Sequence, residues 1–383
     1  MTRSRFLDLH LLHPVTAANL NRDESGEPKT LQLGGSTRGL VSSQAWKRPI
    51  RLDIEEELGE PAARTRMVPV KVAETLRAQG WPEDLARFAA AQIAGSARPK
   101  GLKTNAAENH RTQAMILLPT DAITALAAVC RDHRRALEEA LAAQNATGKP
   151  AAPLLPTETI AAQLTRRTAT IALFGRMLAE IPSGHVEGAV QMAPAFTVHQ
   201  ADLQPDFFTT VEDWPLPGEH GSAHLQTAFH TAGVFYRFAT VNITELVANL
   251  DGDTATAAHL VEQFTWSFIM TMPKGKKTST AAHTVPDLAH YVVRDSRPVS
   301  YGAAFEQPVK AQPQGGFTAP ARHALAQYAT TIDRLVGTRR RTAHGHASAT
   351  GTPIEPLGAH HRSYQDLAAA CAKAAFTPAG QSS

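Results

Sequence analysis

The stretch 233-GVFYRFATVNI-243 decides the fold: β-branched and aromatic residues with a single charge read as a strand buried on both faces. Upstream, residues 193–225 gather Pro194, Pro205, Pro215 and Pro217 around Phe207, Phe208, Val211 and Trp214 without helical period, which predicts an extended arm or hairpin leading into that strand. Residues 60–180 read as mostly helical. Ile123, Leu126, Cys130, Leu137 and Leu141 keep helical spacing behind Pro119-Thr120-Asp121, and Ile160, Leu164, Ile171 and Leu178 form a second stripe after the Gly/Pro/Ala break at 148–156. At the start, Leu7, Leu9 and Leu11 alternate with Asp8 and His10, the period of a half-buried strand. The polar, Gly-rich text from Asn19 to Gly39 predicts a long loop presented by that strand. Ser42 and Ser43 can then cap a helix through Trp46, Ile50, Ile54 and Leu58, kinked or shifted in its start by Pro49.

Downstream, Leu260, Phe264 and Phe268 predict a helix behind Asp253 and Thr254. LAHYVV (288–293) and PVSYGAAF (298–305) predict strands, and Leu325, Tyr328, Ile332 and Leu335 a further helix. Residues 338–361 read as a mobile surface segment. The order β, helical insertion, arm, βαββα predicts an α+β core with two excursions.

A chain of 383 residues is long enough to bury a sizeable core and still carry excursions. Its two cysteines, Cys130 and Cys371, lie far apart without a CxxC, which argues against a disulfide framework or a cysteine zinc site and fits a reducing cytosol. The apolar run at the start is broken by Asp8, His10 and His13 well short of signal-peptide or membrane-span length, so the expectation is a cytoplasmic protein with no membrane partner. A net charge of +3 with 19% charged residues requires any polyanion site to be local. Aromatics at 6% favour a grip on phosphate over base stacking.

The local site is Leu20 to Arg51, LNRDESGEPKTLQLGGSTRGLVSSQAWKRPIR. Arg22, Lys29, Arg38, Lys47, Arg48 and Arg51 supply cations, Gly34 and Gly35 allow close backbone approach, and Ser42, Ser43 and Gln44 add neutral donors. That set suits phosphates and ribose and lacks the carboxamide pairs that read base edges. PKGKKTST (273–280) has phosphate-loop flavour without Walker spacing, so Lys274, Lys276 and Lys277 read equally as a phosphate contact or a solvated loop. His344, His346, His360 and His361 have few acidic neighbours and no framing element, and read as a flexible tail in place of a metal site. No catalytic residue, metal or cofactor is expected.

The same stretch resembles the CasC family, the backbone subunit of type I-E CRISPR Cascade, whose members open with a strand, LNRD, a Lys, GG and an SSQ-x-x-KR helix start. VEGAVQMAPAFTVHQAD (186–202) and GSAHLQTAFHTAGVFYRFATVNITELVANL (221–250) continue the resemblance in order and spacing, while 60–155 and 338–383 are least alike. Pro49 stands where the family has a small residue, Val41 where it has Ile, and Ser36-Thr37-Arg38 is less basic than the family's run.

The resemblance implies an RRM-like (ferredoxin-like) palm at 1–59, 181–192 and 226–337, helical fingers at 60–180 and a β-hairpin thumb at 193–225, with 338–383 a mobile segment and C-terminal helix. It implies RNA contacts at Arg22, Lys29, Ser42, Gln44, Lys47, Arg51 and Met177, and a thumb wedge of Phe208 and Val211 beside a displaced nucleotide. In isolation Met177 reads equally as a core methionine, and Phe208 and Val211 as core residues. The implied partners are a crRNA guide, the target DNA strand, further copies of the chain along a helical filament, and other Cascade subunits. The competing expectation is a metal-dependent endoribonuclease, as in related type III backbone subunits, with Asp23 as its only acidic candidate; a loop cap or salt bridge is the commoner role for such a carboxylate.

Overall fold

A computed structural model describes residues 4–97, 101–181, 184–211, 213–214 and 222–378, with backbone alone at 106, 211 and 222–225. Contacts divide the chain into two units, Met1–Ile54 with Val190–Ser383, and Glu55–Ala189.

The first unit begins with β1 (Phe6–Ala18), then the hairpin β2 (Thr30–Leu33) and β3 (Ser36–Val41), then α1 (Ser43–Leu58), which contains Pro49. The expected long loop at 19–39 therefore holds a hairpin. Leu33 pairs with Ser36 around Gly34 and Gly35, both with positive φ (59° and 73°), the primed two-residue turn that matches strand twist. Gly34 is also fixed by contact, since a Cβ there would fall 1.8 Å from the Glu306 carbonyl oxygen.

The second unit holds β4 (Ala62–Thr65), α2 (Val68–Ala78), α3 (Glu83–Ser96), the short strands β5 (Thr104–Asn105) and β6 (Arg111–Thr112), and β7 (Ile116–Pro119). The helices α4 (Ala122–Asp132), α5 (Arg134–Thr147), α6 (Thr157–Thr165) and α7 (Ala169–Phe174) complete it. Its core is the apolar set that sequence spacing singles out, including Leu126, Cys130, Leu137, Ile160 and Leu164, packed with Val72, Leu76 and Ile93. The single stripe expected over 123–141 is two helices that part at His133.

The chain re-enters the first unit through β8 (Val190–Met192), β9 (Ala195–Thr197), β10 (Gln204–Val211) and the 21-residue β11 (Ser222–Asn242). Then come α8 (Ile243–Asn249), α9 (Thr254–Met270), α10 (Lys277–Thr280), β12 (Leu288–Arg294), α11 (Thr318–Val336), β13 (Arg341–Ser348), β14 (Ala359–His360) and α12 (Tyr364–Phe376). Among the described residues ten strands join in the order β14-β13-β12-β1-β11-β9-β3-β2, with β8 and β10 also paired to β11. The fold class is α+β.

Three expectations need correction. Residues 298–305 form no strand; they end in a 3-10 turn at Gly302–Phe305 that buries Phe305, because the Gly-Ala-Ala step lacks the branched side chains a strand packs. Residues 341–348 are no mobile segment but a strand hydrogen-bonded to β12, followed by β14. Strand β1 is buried on both faces. Its polar face is paired internally: Arg294 Nε and the Val299 N–H donate to Asp8 at 3.3 and 2.9 Å, and His10 shares a 2.9 Å bond with the Tyr236 hydroxyl.

Of the histidines expected in a tail, His346 is fully buried in that interior, and His344, His360 and His361 are half-buried beside it. Register places His10, His290, His346 and His360 side by side across β1, β12, β13 and β14, with the first three fully buried. Ring centroids of His10 and His290 lie 5.5 Å apart, and those of His346 and His360 5.3 Å. Among the described residues no group of three or more His, Cys, Asp or Glu is arranged to hold a metal ion, and no helix is long and apolar enough to cross a membrane.

Candidate nucleic-acid interface

The site is built where β1 ends. Asn19 is buried and its amide donates to the Gly26 carbonyl at 3.1 Å. Asp23 Oδ1 accepts from the N–H groups of Ser25 and Glu27 at 2.9 and 3.0 Å, so this carboxylate closes its own loop. The Lys29 N–H donates to the Asn21 carbonyl and the Leu40 N–H to the Lys29 carbonyl, at 3.0 and 2.8 Å, which pins the loop to the hairpin. Asn21 Oδ1 then accepts from the Ser42 N–H at 2.9 Å. One amide thus holds the Arg22 loop against the start of α1.

Helix α1 is two-faced. Trp46, Ile50 and Ile54, four residues apart, are buried. Ser43, Lys47 and Arg51 recur at the same interval on another face, each step advancing about 6 Å along the axis. Beneath Trp46 lies Arg237, fully buried, with its guanidinium 3.6 Å from the indole centroid and 4.7 Å from the Phe268 ring. Arg237 also bonds His13 Nδ1 at 3.0 Å and donates to the Phe268 carbonyl. Ser267 Oγ donates to Asp53 at 2.7 Å, tying α1 to α9 as well. Lys47 is half-buried, and desolvation pulls its ammonium pKa below the usual lysine value.

A second loop meets the first. Gly275 packs against the chain at Asn19 and Leu20 so closely that a Cβ would sit 2.4 Å from the Leu20 carbonyl oxygen. Leu20 to Glu24, Gly26 and Gly275 line an open cleft of about 430 Å³. Lys274, Lys276 and Lys277 flank it exposed, with Lys276 in a left-handed conformation (φ 50°).

Of the expected cations, Arg22 is exposed, and Lys29, Lys47 and Arg51 are half-buried around this junction with Ser42 and Ser43; Gln44 is exposed. Arg38 does not join them. Its side chain is fully buried and donates to the carbonyls of Thr197, Phe305 and Glu306 at 3.0, 3.1 and 3.1 Å. In a strand, neighbours point to opposite sides, and Arg38 points inward where its charge is absorbed by carbonyl dipoles. Met177, in the second unit, is 85% exposed between buried Arg176 and Leu178, so it is no core methionine. The Arg176 guanidinium donates to the carbonyls of Gly184, Arg166 and Thr165 at 2.8, 2.7 and 2.7 Å and so fixes the backbone that displays Met177.

The Pro-rich arm is a two-stranded ribbon in which β10 pairs with the first part of β11, Phe207 opposite Thr227 and Phe208 opposite Gln226. Phe207 and Phe208 are 65% and 38% exposed. The Val211 side chain, like Pro215 and Pro217, lies outside the described residues. Sequence reasoning misses Asn21, Arg237 and Gly275 as organisers of the site. Asn21 carries a signal in its place between the apolar Leu20 and the charged loop; Arg237 and Gly275 carry none, because only the tertiary fold brings them to Trp46 and Leu20.

A family model described as CT1975-like protein matches residues 7–370. Among solved structures, a chain of a "CRISPR RNA-guided surveillance complex, pre-nicking" superposes with a TM-score of 0.89 at 39% identity, covering 97% of this chain and 100% of that one. A chain of a "CRISPR RNA-guided surveillance complex" gives 0.80 at 35% identity, covering 96% and 99%. No curated protein matches.

Proposed function

The chain belongs to the CT1975-like protein family, and on that premise we propose that it is the crRNA-binding backbone subunit of a type I-E CRISPR Cascade complex. Copies polymerise along the guide RNA with the other Cascade subunits and present the guide for pairing with the target DNA strand. The observation that carries this is the Asn21–Ser42 bond, which gathers Arg22, Lys29, Ser42, Ser43, Gln44, Lys47 and Arg51 beside the Lys276–Lys277 loop. Cations meet phosphates, hydroxyl and amide donors meet phosphate or ribose oxygens, and base edges are left free to pair.

An RRM-like palm is supported by strand order: β12-β1-β11-β8, all neighbours antiparallel, with α1 after β1 and α9 before β12, follows the β-α-β-β-α-β pattern. The second unit serves as the fingers and the β10–β11 ribbon as the thumb. Exposed Phe208 supports a wedge role there, in which the ribbon turns one nucleotide out of the guide–target hybrid without reading it. The subunit cleaves nothing in this reading, which the loop-closing bonds of Asp23 support.

The test is equilibrium binding of the full chain to two guide RNAs of equal length, one with a scrambled spacer, across a salt series. Affinities should match, and Arg22→Gln with Lys47→Gln should flatten the salt slope by about 0.7 for each phosphate no longer neutralised, alike for both. Strong preference for one spacer overturns the backbone-directed grip. A metal-dependent cut in guide or target RNA overturns the scaffold role.

A further inference from the structure

A second concentration of positive charge lies at the opposite end of β1. There the Asp295 N–H donates to the Arg340 carbonyl at 2.9 Å, and the Arg341 N–H to the Thr338 carbonyl at 3.0 Å. These bonds hold the segment after β12 against the turn before β13, next to the last turn of α11, which carries Arg334. Two arginines here are paired, Arg5 with Asp295 at 2.7 Å and Arg341 with Asp333. Arg297, Arg334, Arg339 and Arg340 are exposed and have no ion-pair partner among the described residues. Six guanidiniums against two carboxylates leave a formal +4, more than the +3 of the whole chain.

The cluster is electrically separate from the Asn21 junction. Strand β1 has 13 residues, so its ends lie about 40 Å apart. The screening length at physiological salt is about 8 Å. With the two carboxylates here, Asp295 and Asp333, already engaged by Arg5 and Arg341, the four unpaired guanidiniums call for a partner with negative charge at every few ångströms. Phosphodiesters repeat at that density and match the fork of each arginine. Leu335 and Val336, exposed in the same stretch, are the contacts a protein partner would use instead.

We propose that the arginine cluster at the β12–β13 end is a second phosphate-backbone surface, which takes a nucleic-acid strand other than the one at the Asn21 junction. It stands on the unpaired arginines and does not depend on the guide assignment. The experiment measures binding of the full chain to a labelled DNA duplex of unrelated sequence, and to its single strand, across a salt series. The probes are added alone and after saturation with guide RNA. Arg297→Gln, Arg339→Gln and Arg340→Gln combined should flatten the duplex slope by about 2 to 3, at about 0.9 per phosphate released, or the single-strand slope by about 2, at about 0.7 each. The probe with the larger fall in affinity identifies whether a duplex or a single strand is held. The thermal midpoint should match the parent, since these side chains are exposed and unpaired, and guide RNA binding should be unchanged. A guide-binding slope unchanged in Arg22→Gln/Lys47→Gln, beside a DNA slope flattened in the triple variant, leaves this surface standing while the guide site fails. A triple variant that keeps the parent slope on both probes overturns the proposal. So does a triple variant without effect beside a Leu335→Ser/Val336→Ser variant that no longer co-purifies with another subunit, which would assign the patch to a protein.

Discussion

The buried histidines should make the first unit acid-labile, and their burial fixes the sign. His13 and His290 are pulled down to about 3 from an ordinary 6.5, chiefly by desolvation, with Arg237 adding to the effect at His13 and His344, His346 and Arg294 at His290. The backbone partners at Thr284 and Gly345 oppose the shift. A group with a depressed histidine pKa is neutral in the fold, so below pH 6.5 the unfolded chain takes up a proton that the folded chain refuses. Each such group costs about 1.36 kcal/mol per pH unit. At about pH 4.5 the two together cost on the order of 5 kcal/mol relative to pH 7. His10 is also lowered, by burial first and then by His290 and Arg294, and adds in the same direction. Asp8 works the other way. Burial raises it to about 6 from 3.8, so the fold binds its proton before the unfolded chain does and recovers about 2 kcal/mol by pH 4.5. The net loss is at least about 3 kcal/mol, a large part of the 5–15 kcal/mol typical of a domain. Urea unfolding at the two pH values, followed by intrinsic fluorescence, should show a lower midpoint in acid, and His290→Asn should reduce the histidine-driven difference by about a third or less. An equal or higher midpoint at pH 4.5, or an unchanged acid loss in the His290 variant, would refute the reasoning.

Three further outcomes are expected. Gly275→Ala places a Cβ 2.4 Å from the Leu20 carbonyl oxygen and must push the lysine loop off the Arg22 loop; RNA affinity should fall about tenfold or more while the melting temperature drops only a few degrees, checked by binding titration and calorimetry. Arg38→Met strips donors from two buried carbonyls and one part-buried carbonyl and should destabilise the chain by about 3 kcal/mol with no change in the salt slope of RNA binding; a flattened slope without destabilisation would return Arg38 to the phosphate contacts. Phe208→Ala should cost less than about 1 kcal/mol, because the ring is 38% exposed on a ribbon, while shifting the chemical-probing pattern of a guide–target hybrid in the assembled complex.

Much of this fold is written locally. The alternation of Leu7, Leu9 and Leu11 and the apolar run at 233–243 name their strands, and the stripes of 123–141 and 160–178 name helical text, although each stripe is two helices and Leu178 lies beyond the second. What local text does not carry is what lies on the other side of a strand. Asp8 and His10 look solvated until Arg294, Tyr236 and Tyr301 arrive from the far end of the chain to pair with them. Arg38 is indistinguishable in sequence from Arg22 or Arg51, and only the carbonyls of Thr197, Phe305 and Glu306 turn it inward. The Gly34-Gly35 turn is a hairpin signal in plain view, obscured by the polar, charged residues around it. The strand at 341–348 is polar and short on branched residues, so nothing short of its pairing with β12 identifies it.

The insertion of the second unit sets an order of events during synthesis. Residues Glu55–Ala189 carry their own core, so all the side chains of that core have left the ribosome once the segment has emerged. The first unit must wait, because Phe6 pairs with Asn242 and Arg294, and β12 in turn pairs with β13. At typical elongation rates of 5–20 residues per second, the remaining 190–383 take about 10–40 s to appear. Until β11 and then β12 emerge within that interval, the edges of β1 have no strand to pair with, and its Leu7, Leu9, Leu11 and Leu12 are open to any passing strand. A nascent chain of this kind gains most from a chaperone that shields its first twenty residues.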